Sequence, residues 1–291
     1  MIGKNSTHFI FAAALATAAP QQSPELVTRQ LWDASLIEQR PAAKQAQSTK
    51  KAPLTKSLTV PAKPAPPVKG TLVGVTVWSF RPSKPNDTRG VRALIQEEGG
   101  EVELTPERVA AGAPLAEGQK LRIGIEVSRA GYLYVIDHEE YADGSKGDPF
   151  LIFPTRKILG GNNKVGPGML VEIPAASDRV PYFKMTRSKP NQIREVLTIL
   201  ISPTPIPGLT APADRLLLDE KQLAAWEKQW RVKSYPLGDS EQGQTYTLAE
   251  KQAASGAKPL GKDDPLPQLM YHLDTKPGDA GMMDLPLRIA K

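Results

Sequence analysis

The chain contains no cysteine. Disulfide staples, cysteine nucleophiles and thiolate metal centres are therefore excluded. Histidine is nearly as scarce, with only His8, His138 and His272. Residues so far apart lack metal-ligand spacing, and any zinc site built on them would need distant carboxylates. No G-x-S-x-G elbow, phosphate-binding P-loop or G-x-G-x-x-G turn occurs, which removes the sequence signals for a serine hydrolase, a nucleotidase or a dinucleotide enzyme. No apolar run reaches the ~20 residues that a membrane-spanning helix needs.

The formal charge of +6 invites a nucleic-acid reading. Its location argues against one. Of 37 basic and 31 acidic residues, nine and three lie in residues 1–70, leaving 28 of each sign in 71–291. A balanced body presents no one-signed field to a phosphate backbone.

The first residues carry an address. Lys4 precedes an apolar segment from Phe9 to Ala19, and small residues follow at Ala16-Thr17-Ala18. This pattern predicts a secretory signal over 1–18, cleaved after Ala18, and hence an exported, periplasmic or extracellular protein. Ser23-Pro24-Glu25 predicts a short helix within 19–40, an N-cap serine followed by proline at the first helical position. Val27, Leu31 and Ala34 line one face of it, for a partner or for the chain's own body. Residues 41–70 turn to Pro, Lys and Ala, with Pro61-Ala62-Lys63-Pro64-Ala65-Pro66-Pro67 as the stiffest part. Such a stretch buries too little apolar surface to offset its ordering entropy, and it predicts a disordered linker.

From residue 71 the apolar residues follow a two-residue period. Val73, Val75 and Val77 alternate in Leu72–Phe80, and Leu121, Ile123, Ile125 and Val127 in Gln119–Val127. In the second segment Arg122, Gly124 and Glu126 take the other face, which reads as wet. Two β-rich runs flank Ala142-Asp143-Gly144-Ser145 within 131–155, which predicts an antiparallel pair joined by a loop. Further strands are expected at 91–97, 101–104, 169–173, 179–183 and Ile193–Ser202. Segments 269–273 and 285–289 read as closing edge strands. Short strands between turn signals predict an all-β antiparallel sandwich spanning 71–291. One amphipathic helix interrupts it at Asp219–Arg231, with Asp219 as N-cap and Leu223, Trp226 and Trp230 at helical spacing.

Candidate sites are few. Lys184, Arg187, Lys189 and Arg194, with Tyr182 and Phe183 beside them, form a basic, aromatic stretch suited to an acidic partner or glycan, or to a solvated loop. Trp226 and Trp230 suit either a sugar platform or a core stripe. Asp137, Glu139, Glu140, Asp143 and Asp148 raise a calcium reading, although Lys146 lies among them and the spacing is not that of an EF-hand. Glu172 and Asp178 would act as glycosidase carboxylates only if brought within ~5–9 Å.

The order of Leu121–Val127, Gly131-Tyr132-Leu133-Tyr134, Asp143-Gly144, Leu151-Ile152-Phe153-Pro154, Asn162/Asn163, Ile173-Pro174 and Glu195–Ser202 resembles the bacterial domain-of-unknown-function 4384 family over about 75–205. The resemblance implies an immunoglobulin-like accessory domain of exported proteins, with no catalytic residues to carry over. The expected function is a non-catalytic binding or scaffolding module of the bacterial envelope, presented on an arm to a protein partner, without cofactor, nucleic acid or membrane span. A carbohydrate-binding module using exposed aromatics is the alternative, and a cryptic hydrolase the third reading.

Overall fold

The computed structural model describes Arg40 and residues 70–290, apart from 98, 111 and 240–242. The predicted signal segment and linker, and the predicted 19–40 helix save for Arg40, lie outside the described residues.

Two antiparallel sheets pack face to face. The first has a spine of β1 (Thr71–Pro82) and β4 (Lys120–Val127), paired from Val73↔Val127 to Ser79↔Leu121. The other side of β1 is shared by two strands placed end to end. β13 (Leu269–Leu273) covers Thr71 to Val75, and β3 (Gly100–Arg108) covers Trp78 to Pro82. β4 is shared in the same way by β8 (Leu170–Ile173) and β9 (Phe183–Lys184). β2 (Ala93–Glu97) and β12 (Ser234–Asp239) complete this sheet.

The second sheet centres on a long ladder between β5 (Gly131–Tyr141) and β10 (Gln192–Ser202). β14 (Gly281–Arg288) flanks β10, and β6 (Phe150–Phe153) with β11 (Leu216–Leu217) flanks β5. β7 (Lys164–Val165) pairs with the start of β5. Pro286 has no amide hydrogen to give, which suits the outer position of β14. The outer side of β14 is partly covered, because Leu115 N–H donates to the Arg288 carbonyl and Val232 N–H to that of Met282.

The alternating apolar residues meet between the sheets. Val73, Val75, Ile123 and Ile125 from one side bury against Leu133, Val135, Ile199 and Leu285 from the other. Each fully buried side chain of this kind contributes roughly 1.5–3 kcal/mol. The predicted hairpin is present, and its turn is closed by Asp143, whose Oδ1 accepts from Ser145 N–H at 3.0 Å. Gly144 holds φ +83°, a conformation that favours glycine.

The predicted helix is α1 (Glu220–Trp230), and Asp219 accepts from Lys221 N–H as its N-cap. It lies on the outer face of the second sheet, where Trp226 joins Tyr134, Ile136, Leu200 and Met282. A second helix, α2 (Leu248–Ala254), was not expected. Three further expectations are corrected. β13 is an interior strand, because β12 pairs with its outer side. The 179–183 strand shrinks to Phe183–Lys184, since Pro181 has no N–H for a ladder. The polar face of β4 is dry, as the site below shows.

Candidate functional site

The outer face of the first sheet carries a buried layer of charge. Outward-facing rows run from Gly74 to Glu126 to Leu170, and from Thr76 to Gly124 to Glu172. A cover made by residues 245–268, including α2, lies over them. Leu170 packs against Ala253, Ala254 and Leu260 of that cover. α2 starts with a capping box in which Thr247 Oγ1 accepts from Glu250 N–H while Glu250 accepts from Thr247 N–H.

Three arginines match three glutamates in this layer. Arg122 Nη1 donates to Glu172 Oε2 at 3.2 Å, and its Nε to the Pro181 carbonyl at 2.9 Å. Its guanidinium also stacks near Phe80 and Tyr246. Arg108 Nη2 donates to Glu250 Oε1 at 3.2 Å and to the Leu266 carbonyl at 2.6 Å. Glu250 thus caps a helix and balances a buried arginine at once. Trp78 packs edge-on against Tyr246, with Arg108 over its ring.

The third pair reaches far back in the chain. Arg40 and Glu126 are each 1 % exposed. Arg40 Nε donates to Glu126 Oε1 at 2.9 Å, and Nη2 to Oε2 at 2.6 Å. Nη1 donates to the Gly261 and Asp264 carbonyls, both at 3.1 Å, and Nη2 to the Pro265 carbonyl at 3.3 Å. The Asp264 side chain accepts from Gly261 N–H at 2.6 Å, which shapes the loop that presents these carbonyls.

Burial drives the electrostatics. Desolvation pushes the Glu126 carboxyl up, and the Arg40 guanidinium opposes it. Glu172 is pushed up by burial and drawn back by Arg122. The Tyr246 hydroxyl rises well above its ordinary range through burial and the facing Glu172 charge. No well-aligned hydrogen bond joins Tyr246 Oη to Glu172 Oε1, so their relation is one of charge and proximity. A cavity of about 10 Å³, space for one water, is lined by Gly74, Trp78, Gly124, Glu126 and Glu250 among others. The Trp78 indole N–H has no partner among the described residues.

The expected site residues are placed elsewhere. Tyr182 is 7 % exposed, packs against Phe80 and donates its hydroxyl to Glu97 Oε1. It is a core residue rather than a stacking surface. Arg187 is tied to the Gln192 and Ala290 carbonyls. Lys184 and Lys189 are exposed, the latter 4.4 Å over the Tyr141 ring. Trp226 is 7 % exposed and stacks on Trp230 at 5.9 Å, which corrects the sugar-platform reading of this pair in favour of a core stripe.

The acidic group near the hairpin divides. Asp137 and Glu139 share the inward face with Leu133 and Val135, while Glu140 pairs with Arg194 and Asp143 closes its own turn. Among the described residues no group of three His, Asp or Glu is placed to hold a metal. Glu172 is paired to Arg122, and Asp178 instead accepts from Ala175 N–H. His138 and His272 stand on different sheets, on β5 and β13.

Alternation put Glu126 on a face that reads as wet, and Arg40, Arg108 and Glu250 carried no expectation as site residues. One signal was available. Thr247-Leu248-Ala249-Glu250 fits the S/T-x-x-E capping pattern that starts a helix. No family model, curated protein or solved structure matches the chain.

Proposed function

We propose that the chain is a non-catalytic β-sandwich binding module, exported to the bacterial envelope and carried behind an N-terminal arm. The observation that carries this reading is the seating of Arg40 on Glu126 and the 261–265 loop. The outer face of the first sheet receives a side chain from a remote segment, through a carboxylate and backbone carbonyls. That is the chemistry of recognition. The carboxylates grouped there are each engaged by an arginine, so their charge holds the architecture together. The leader-like start of the sequence and the motif order resembling the domain-of-unknown-function 4384 family support export and an accessory role.

The test is capture of a partner from bacterial envelope extract by the full chain and by a chain lacking residues 19–70. A specific partner retained by either form supports the module. Turnover of envelope substrates that tracks the purified protein, without stable capture, would remove the reading.

A further inference from the structure

The guanidinium of Arg40 makes five hydrogen bonds, to Glu126 Oε1 and Oε2 and to the Gly261, Asp264 and Pro265 carbonyls. An arginine head has five N–H donors, and here each meets an acceptor. An ammonium has three and would leave two acceptors unmet. Every acceptor belongs to the sandwich or its cover and none to the arm. The acceptors are positioned by contacts independent of Arg40: Glu126 by the β4 ladders, and the loop by Asp264 on Gly261 N–H and by Leu260 N–H on the Gly168 carbonyl. The site is matched to one chemical group, and its acceptors are held by contacts other than those to Arg40.

Resting on the binding-module reading, we infer that this is an arginine-receptor site in which Arg40 is a tethered resident ligand, exchanged for an exposed arginine of a partner protein. Exchange rather than vacancy follows from burial. A carboxylate sealed in the layer beside Glu250 is poorly tolerated without a cation. Covalent linkage favours the resident, because a ligand in the same chain competes intramolecularly. An incoming arginine therefore succeeds only as part of a larger interface, which makes the site a selective one.

The experiment uses full-length Arg40→Ala and thermal melting with ethylguanidinium or ethylammonium chloride at equal ionic strength. The expected result is a melting point below wild type that ethylguanidinium raises in a saturable way. Ethylammonium does not raise it, and wild type responds to neither. Binding to the folded form alone requires such a rise. If Arg40→Ala does not fold, recovery of the β-sheet circular dichroism on adding ethylguanidinium, and not ethylammonium, is the same test. The doubly changed Arg40→Ala/Glu126→Gln chain should lose the response.

Equal effects of the two cations, no effect, or a response surviving Glu126→Gln would overturn the proposal. Dimers formed only on mixing Arg40→Ala with Glu126→Gln chains would overturn the assignment of the incoming arginine to a different protein. Envelope capture unaffected by Arg40→Ala and by ethylguanidinium would leave the module reading standing and remove this inference.

Discussion

Gln268 fills the rung of β1 that neither β13 nor β3 reaches, where its Oε1 accepts from Val77 N–H at 3.2 Å. Its own N–H donates to Thr76 Oγ1, and its Nε2 to the Val109 carbonyl. One side chain bridges two strand ends and satisfies the backbone between them. Gln268→Leu keeps the volume and orphans a buried donor and acceptor. Each unmet group costs about 1–3 kcal/mol, so a loss of roughly 2–4 kcal/mol is expected in urea unfolding. An unchanged midpoint would mean that water or neighbouring backbone replaces the amide.

The Arg122–Glu172 pair should behave as a buried ion pair. Arg122→Met leaves Glu172 uncompensated and should cost about 3–5 kcal/mol. Arg122→Met/Glu172→Leu should recover much of that, because two apolar groups can replace a buried pair at little cost. A double-mutant cycle reads the coupling. Additive losses would show that the two charges act independently.

The inward carboxylates predict a pH dependence. Burial and the Glu139 charge push Asp137 up to about 7. Burial and the Asp137 charge push Glu195 up to about 8. Both values exceed those of the unfolded chain, so the folded state holds more protons from about pH 4 to pH 8. Their contribution is full below pH 4 and is lost as pH rises through 7 and 8. Asp137→Asn should flatten this decline and raise the melting point at pH 8, by about 2–4 °C for each kcal/mol relieved. A melting profile identical in shape to wild type from pH 5 to 9 would contradict it.

The two helix caps should differ. Asp219 caps α1 at an exposed position, and Asp219→Ala should cost about 0.5–1 kcal/mol. Thr247 caps α2 and also holds Glu250, which faces Arg108. Thr247→Ala should therefore cost about 1–2 kcal/mol, at the upper end for a cap. Equal losses in denaturant titrations would show that the buried pair does not depend on the cap.

The sandwich was legible where apolar residues kept a period of two, as in β1 and β4, and where a long apolar run ended at a proline, as in β10. So was α1, because Asp219 and the Trp226–Trp230 spacing are local signals. The site was not. Alternation assigns Arg122 and Glu126 to one face of β4, but it cannot say whether that face meets water or a cover drawn from residues 245–268. The polarity that reads as wet is here the means by which arginine and glutamate tolerate being dry. Arg40 was hidden for a related reason, since its partners lie at residues 126 and 261–265 and no periodicity joins them. The short strands β7 and β11 are two residues each and leave no pattern to read.

The divided side of β1 sets an order of events during synthesis. β1 waits for β13 to complete its pairing, and β10 waits in the same way for β14. Neither sheet can close until residues 269–288 have left the ribosome. A stop codon before residue 269 would therefore strip a rung from both layers at once, and nascent chains halted there should be open to proteolysis along their whole length.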